Sequence, residues 1–257
     1  MKHEKTLASL TLLVLLFLGT PIVAAEAGRT LVNAFGISAP SSTTLILGEN
    51  PAGFSQIGGV KLQLMGRSVN GSGNTETKYY DGGLYAGNNV FGVGLFAEKS
   101  DQSGSEASTL WGLGGGINTV AIGVSGVTTG GQNSTTTTQF GLLFGSRNPL
   151  TVGATFYSDS GSTYDFGAGF GYDFTPGANF ALDVKHKRIS GEMAYAAGVR
   201  LASSALELQL GYRVLDNNDA SEDHIQAGLA FNMTQTFSFQ YLYNHFPKHM
   251  LGLTVRF

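Results

Sequence analysis

The chain has 257 residues, 37 of them glycine and none cysteine, with 13% charged residues, 42% hydrophobic residues and a formal net charge of −3. The absence of cysteine excludes disulfides, thiolate metal sites and lipoprotein acylation, and the acidic balance removes the electrostatic basis for holding nucleic acid. Ordinary apolar content and glycine without a three-residue period suit neither a disordered tail, a collagen nor a helical enzyme.

At the N-terminus, Lys2 and Lys5 precede an apolar stretch from Leu10 to Leu18 interrupted only by Thr11, and Val23-Ala24-Ala25 supply the small residues of a cleavage site. This pattern predicts a cleaved export signal over residues 1–25. Its apolar core falls short of the roughly 20 residues a spanning helix requires, and no later stretch is continuously apolar for that length. Residues 26–56 follow without a regular period. Residues 57–257 then alternate between apolar and polar.

Fourteen segments of period two, separated by turn residues, are legible in that region. They lie near 57–67, 77–87, 89–98, 107–117, 119–128, 136–146, 149–158, 164–173, 178–188, 191–201, 205–215, 222–232, 235–245 and 249–257. The first has Val60, Leu62 and Leu64 on one face and Lys61, Gln63 and Arg67 on the other. In the eighth, Tyr164, Phe166, Ala168, Phe170 and Tyr172 oppose Asp165, Gly167, Gly169, Gly171 and Asp173, two sets that a helix would mix. Leu206, Leu208, Leu210, Tyr212 and Val214 likewise oppose Glu207, Gln209, Gly211 and Arg213, and the last segment presents Leu251, Leu253, Val255 and Phe257 on one side.

An Arg placed in hydrocarbon costs about 2–4 kcal/mol near the bilayer midplane, so the charged faces look into a lumen and the apolar faces meet lipid. The predicted fold is all-β, a transmembrane antiparallel β-barrel of fourteen strands. The glycine-rich stretch 107–128 also admits one long irregular hairpin and a count of twelve. Alternation turns Lys61, Arg67, Asp165, Asp173, Asp183, Lys185, Glu192, Arg200, Glu207, Arg213 and Arg256 inward. Their mixed signs point to cross-linking of the wall rather than ion selection.

Connections agree with a barrel crossing an outer membrane. If the first strand runs outward, the outer loops fall near 68–76, 99–106, 129–135, 159–162, 187–190, 216–221 and 245–248, and tight turns such as Asn88-Asn89 and Thr175-Pro176-Gly177 face the periplasm. The outer loops at 159–162, 187–190 and 245–248 are themselves short.

Just before the first strand stands Asn50-Pro51-Ala52-Gly53-Phe54. Pro51 fixes its own backbone angle and holds Asn50 extended, and Gly53 permits a tight turn. Either a compact elbow inside the barrel or a surface turn leading into the first strand satisfies these constraints. The motif and its position resemble the long-chain fatty acid transporter family of outer-membrane proteins, where an Asn-Pro-Ala-Gly sequence and an apolar residue lie in an N-terminal hatch before the first of fourteen strands. The resemblance implies a hatch over 26–56, with Asn50, Pro51, Ala52, Gly53 and Phe54 on the substrate path. It further implies passive uptake of small hydrophobic or amphipathic molecules, fatty-acid-like or aromatic, and a terminal aromatic strand read by the barrel-assembly machinery of Gram-negative bacteria. The chain departs from the family in having Ser41, Ser42 and Leu47 where paired acids and an aromatic often stand, and in its short outer loops.

Catalysis finds little support. His186, His224, His245 and His249 and the acids Asp219, Glu222 and Asp223 with Ser221 are the available residues, but His224 and Asp223 are adjacent on a strand and point to opposite faces. No Gly-x-Ser-x-Gly elbow marks a nucleophile. The acidic run Asp216-Asn217-Asn218-Asp219 lacks the EF-hand spacing with its glycine. The expectation is a monomeric, non-enzymatic barrel with no cofactor and no metal. Its partners are outer-membrane lipid and lipopolysaccharide, a small hydrophobic ligand and the assembly machinery. A scaffold that anchors a secretion or surface-assembly complex is the rival reading, and a general polar pore the third.

Overall fold

The structure, a computed structural model, describes residues 38, 49–70, 76–101, 107–117, 119–128, 136–145, 149–158, 164–175, 177–203, 205–215, 224–234, 236–244 and 249–257. The expected export signal, most of residues 26–48, much of the outer loops and the acidic run 216–223 lie outside them.

A 3-10 turn, Pro51–Gln56, leads into fourteen strands. These are β1 (Gly58–Asn70), β2 (Glu76–Asn88), β3 (Phe91–Ser100), β4 (Ser108–Ile117), β5 (Val120–Thr128), β6 (Thr136–Phe144) and β7 (Leu150–Tyr157). There follow β8 (Tyr164–Thr175), β9 (Ala178–Lys187), β10 (Met193–Ala202), β11 (Leu206–Leu215), β12 (His224–Asn232), β13 (Phe237–Asn244) and β14 (His249–Arg256). Each strand pairs antiparallel with its neighbours in sequence, and β1 closes on β14 from Lys61↔Arg256 to Ser68↔His249. The glycine-rich stretch 107–128 forms two separate strands paired from Thr109↔Thr128 to Ile117↔Val120, so the count is fourteen and the twelve-strand alternative falls.

Closure leaves no sheet edge unpaired, and period two then divides every strand between two surroundings. In β7, Leu150, Val152 and Phe156 are about half exposed on the outside while Thr155 and Tyr157 are buried inside. Repeated around the barrel, this gives a continuous apolar outer belt, far larger than the few hundred Å² patches that water-soluble monomers carry. Strands of 8 to 13 residues match the roughly 9–11 tilted residues needed to cross hydrocarbon. Phe91, Phe144, Phe174, Phe231, Phe237 and Phe257 stand exposed at the end where the barrel begins and finishes, an arrangement that suits the headgroup level.

The turns at that end follow from their residues. Asn89 adopts φ 65°, a region that Asn tolerates, and the Asn88 side chain accepts from the backbone N–H groups of Val90 and Phe91 at 3.1 and 2.8 Å. Thr234 caps the β12–β13 turn in the same way, accepting from Thr236 and Phe237 at 3.2 and 3.0 Å. At the opposite end β1 and β2 run further than their polarity suggests. The ladder continues through Ser68↔Lys78, Val69↔Thr77 and Asn70↔Glu76, residues expected in the loop 68–76 or at its edge. Beyond the lipid belt no apolar face is needed, so polarity no longer marks where a strand ends.

One departure from strict alternation matters for the lumen. The β8–β9 register shifts between Tyr164 and Phe166. Tyr164 thereby turns inward, its ring 6.3 Å from that of buried Tyr157 and 4.7 Å from Lys185 Nζ. Asp165, expected inside, instead bonds His186 Nδ1 at 2.8 Å, and that imidazole stacks on exposed Phe166 at 5.0 Å between ring centres. A one-residue bulge exchanges faces for everything beyond it.

The packed core lies inside the barrel, between the 3-10 turn and the wall. Phe54 and Ile57 join Met65, Tyr85 and Phe96, with Leu110 against them, and Ala52 joins Ala121 and Leu143.

Candidate functional site in the lumen

The lumen site is built from the turn outward. Asn50 is extended (φ −143°, ψ 98°), as a residue before proline must be, and its side-chain oxygen accepts from Ala52 N–H at 3.1 Å. Pro51 occupies the first helical positions, where its missing N–H leaves no partner unsatisfied. Gly53 N–H donates to Asn50 O at 3.1 Å and the Ser55 hydroxyl to Ala52 O at 2.8 Å. The Asn50 amide also reaches the wall, donating to Leu142 O on β6 at 3.0 Å. All five residues of the motif are buried.

Glycine on the inner faces of β3 to β6 makes that seating possible. A Cβ at Gly123 would overlap the Pro51 backbone, and one at Gly141 would overlap the Asn50 side chain. At Gly114 it would stand 2.5 Å from Pro51 O, and at Gly92 2.5 Å from Phe54 O. At Gly94 it would meet the Phe54 ring at 2.8 Å. Four adjacent strands thus present bare backbone to another segment of backbone, the close approach that glycine within a strand signals. Within 107–128 this accounts for Gly114 and Gly123, while Gly126 instead makes room for the Trp111 ring.

The opposite wall is charged and amide-rich. Arg200 and Glu207, 4% and 1% exposed, pair at 2.9 Å between β10 and β11, and Gln209 donates to the same carboxylate. Asp183 on β9 accepts from Ser38 through its N–H (3.2 Å) and its hydroxyl (2.6 Å). Two residues along, Lys185 forms an ion pair with Glu49, which also accepts from the Tyr157 hydroxyl at 3.4 Å. Arg256 on β14 donates to buried Ser238 at 3.4 Å.

The remaining residues expected inside are less central. Lys61 is half-buried and stands opposite Arg256 and Tyr85 in register. Asp173 pairs in register with buried Asn179, and Arg213 with Ala196 and His224. Glu192 lies in the β9–β10 hairpin, 3.5 Å from Lys187. Arg67 takes its place in β1 opposite Tyr79, and its side chain lies outside the described residues. Glu49, Tyr157, Tyr85 and Phe96 were not singled out from the sequence. Inward alternation of β7 marks Tyr157, whereas Glu49 sits in a stretch without period and carries no such mark. His245 and residues 219–223 fall outside the described residues. Among the described residues no group of three or more His, Asp or Glu is placed to hold a metal ion.

No protein-family model matches the chain. No curated protein matches it either. Solved structures are similar in fold. The CymD monoaromatic hydrocarbon channel aligns with a TM-score of 0.59 at 14% identity, over 88% of this chain and 95% of that one. A mutant of the Rh. blastica porin aligns with a TM-score of 0.51 at 11% identity, over 77% of this chain and 98% of its own.

Proposed function

We propose that the protein is an outer-membrane channel for the passive uptake of small hydrophobic or amphipathic molecules, reached through a lumen that residues 26–56 occlude as a hatch. It is a short, divergent relative of the long-chain fatty acid transporters, exported through the signal at 1–25 and acting as a monomer in outer-membrane lipid. The observation that carries this reading is the Asn50–Phe54 turn seated inside the barrel on the inner glycines of β3 to β6. A surface turn would not need bare backbone on four strands. The similarity in fold to a porin and to a hydrocarbon channel supports the channel reading.

Entry proceeds past an apolar flank, Met65, Tyr85, Phe96 and Leu110, which suits an uncharged chain or ring. Passage then requires the turn to yield, because Phe54 packs directly on that flank. Binding, exclusion of bulk water and diffusion are the whole mechanism, and no bond is made or broken. The test is uptake of alkyl aromatics and fatty acids into liposomes holding the purified protein, with deletion of residues 26–56 as comparison. Accelerated uptake supports the channel. No uptake, together with a large co-purifying partner, supports the scaffold instead, and a large ion conductance released only by the deletion supports a general polar pore.

A further inference from the structure

The outer face of β8 to β11 is not smooth. A groove of about 300 Å³ opens there onto the lipid-facing belt, floored by Ala168 and Ala197 and flanked by Phe170, Leu182, Tyr195 and Tyr212. Register explains its shape. Phe170, Leu182, Ala197 and Tyr212 form one row across the four strands, and Ala168 and Tyr195, both opposite Val184, lie in the next row toward the β9–β10 hairpin. Each row therefore has a single methyl group where its neighbours carry rings or branched chains. One row nearer the hairpin, the same face carries Phe166, His186 and Met193. There Asp165 bonds the His186 imidazole at 2.8 Å while that ring stacks on Phe166. A hydrogen-bonded polar pair on a lipid-facing row suits the headgroup level, as do the tyrosines beside it. The groove thus begins just beneath the headgroups.

Its surroundings decide what fills it. The groove is continuous with the belt that hydrocarbon covers, so its occupant is a lipid tail. Tails are as apolar as these side chains, and preference for one of them comes from packing and from its polar head rather than from the hydrophobic effect. A concave seat gives a tail contacts on several sides that a smooth wall does not. The β9–β10 hairpin lies at the end with the longer connections, which places the groove in the outer leaflet. We infer that this groove is a binding site for an acyl chain of lipopolysaccharide, with the Asp165–His186 pair against the polar head from which the chain hangs. The barrel carries that lipid as a fixed part of its outer surface, and the lumen takes no share in holding it. The inference rests on the outer-membrane placement and not on what the lumen passes.

The experiment is native mass spectrometry of the full chain, released by detergent from liposomes of dimyristoyl phosphatidylcholine doped with deep-rough lipopolysaccharide. The wild type is expected to keep a lipopolysaccharide bound as detergent strips the other lipid. Ala197→Phe and, independently, Ala168→Phe fill the groove and are expected to lose it, whereas Val93→Phe, exposed on the outer face of β3, keeps it. All three add a ring where lipid, not core, is the neighbour, and either filled variant decides the matter if the other does not fold. Equal retention by the wild type and the filled variants overturns the site, as does equal loss in Val93→Phe. No retention by the wild type, or retention of phosphatidylcholine in its place, also overturns it. A dimer that Ala197→Phe splits overturns it as well, because the groove then receives a second copy of the chain. Uptake of alkyl aromatics is expected to be the same in every variant, so failure of the lipid site leaves the channel reading standing.

Discussion

The two sides of the lumen hold the N-terminal segment in opposite ways. Along β3 to β6 the contact is backbone on backbone, with Gly92, Gly114, Gly123 and Gly141 leaving no side chain to move aside. Along β9 it is polar, an ion pair of Glu49 with Lys185 and hydrogen bonds from Ser38 to Asp183, beside an Arg200–Glu207 pair between β10 and β11. Shape complementarity is all or none, because a packed interface does not deform continuously. The glycine wall therefore sets where the turn sits, and the polar wall holds the residue just before it through an ion pair.

This contrast can be broken at several points. The largest effect is expected inside the charged wall. Glu207→Ala leaves Arg200 buried without its partner and should destabilise the barrel by about 3–5 kcal/mol, read as a lower urea midpoint in detergent. Replacing both residues by Met should recover most of that loss. On the glycine wall, Gly141→Val overpacks the seat of Asn50, with a strain of about 1–3 kcal/mol. Because that strain is relieved when the turn leaves, conductance across planar bilayers should rise, whereas Gly66→Val, where a Cβ meets nothing within 4 Å, should leave it unchanged. Asn50→Ala removes the cap and the bond to Leu142 O, and should loosen the turn by about 1 kcal/mol, seen as faster hydrogen exchange at Ala52 and Gly53. The smallest effect is expected at Asp165→Asn, which should leave the urea midpoint and the conductance essentially unchanged, since Asp165 bonds His186 rather than lining the lumen.

The barrel was legible because period two is a direct image of its two surroundings. Leu206 to Val214 against Glu207 to Arg213 admits one orientation, and the ladders place these residues as the alternation does. The motif at Asn50–Phe54 was legible as a turn but not as a contact, because its partners are glycines on β3 to β6 whose role is to offer nothing. Strand ends near Asn70 and Glu76 were hidden by polar residues that no longer needed to alternate. The inward swing of Tyr164 depends on a register shift that no residue type announces. Glu49 was hidden for another reason. Its partner Lys185 lies 136 residues away, and only barrel closure brings the two together.

The central claim is that the Asn50–Phe54 turn sits inside the barrel on β5 and β6. The chain has no cysteine, so Ala52→Cys can be paired with Ala121→Cys, its neighbour in the buried Ala52, Ala121 and Leu143 cluster, and in parallel with Ile122→Cys, which faces outward. Oxidation of the folded protein in membranes should form a disulfide with Ala121→Cys and none with Ile122→Cys. No cross-link in either pair, with Ala52→Cys freely labelled by a membrane-impermeant maleimide, would contradict the claim.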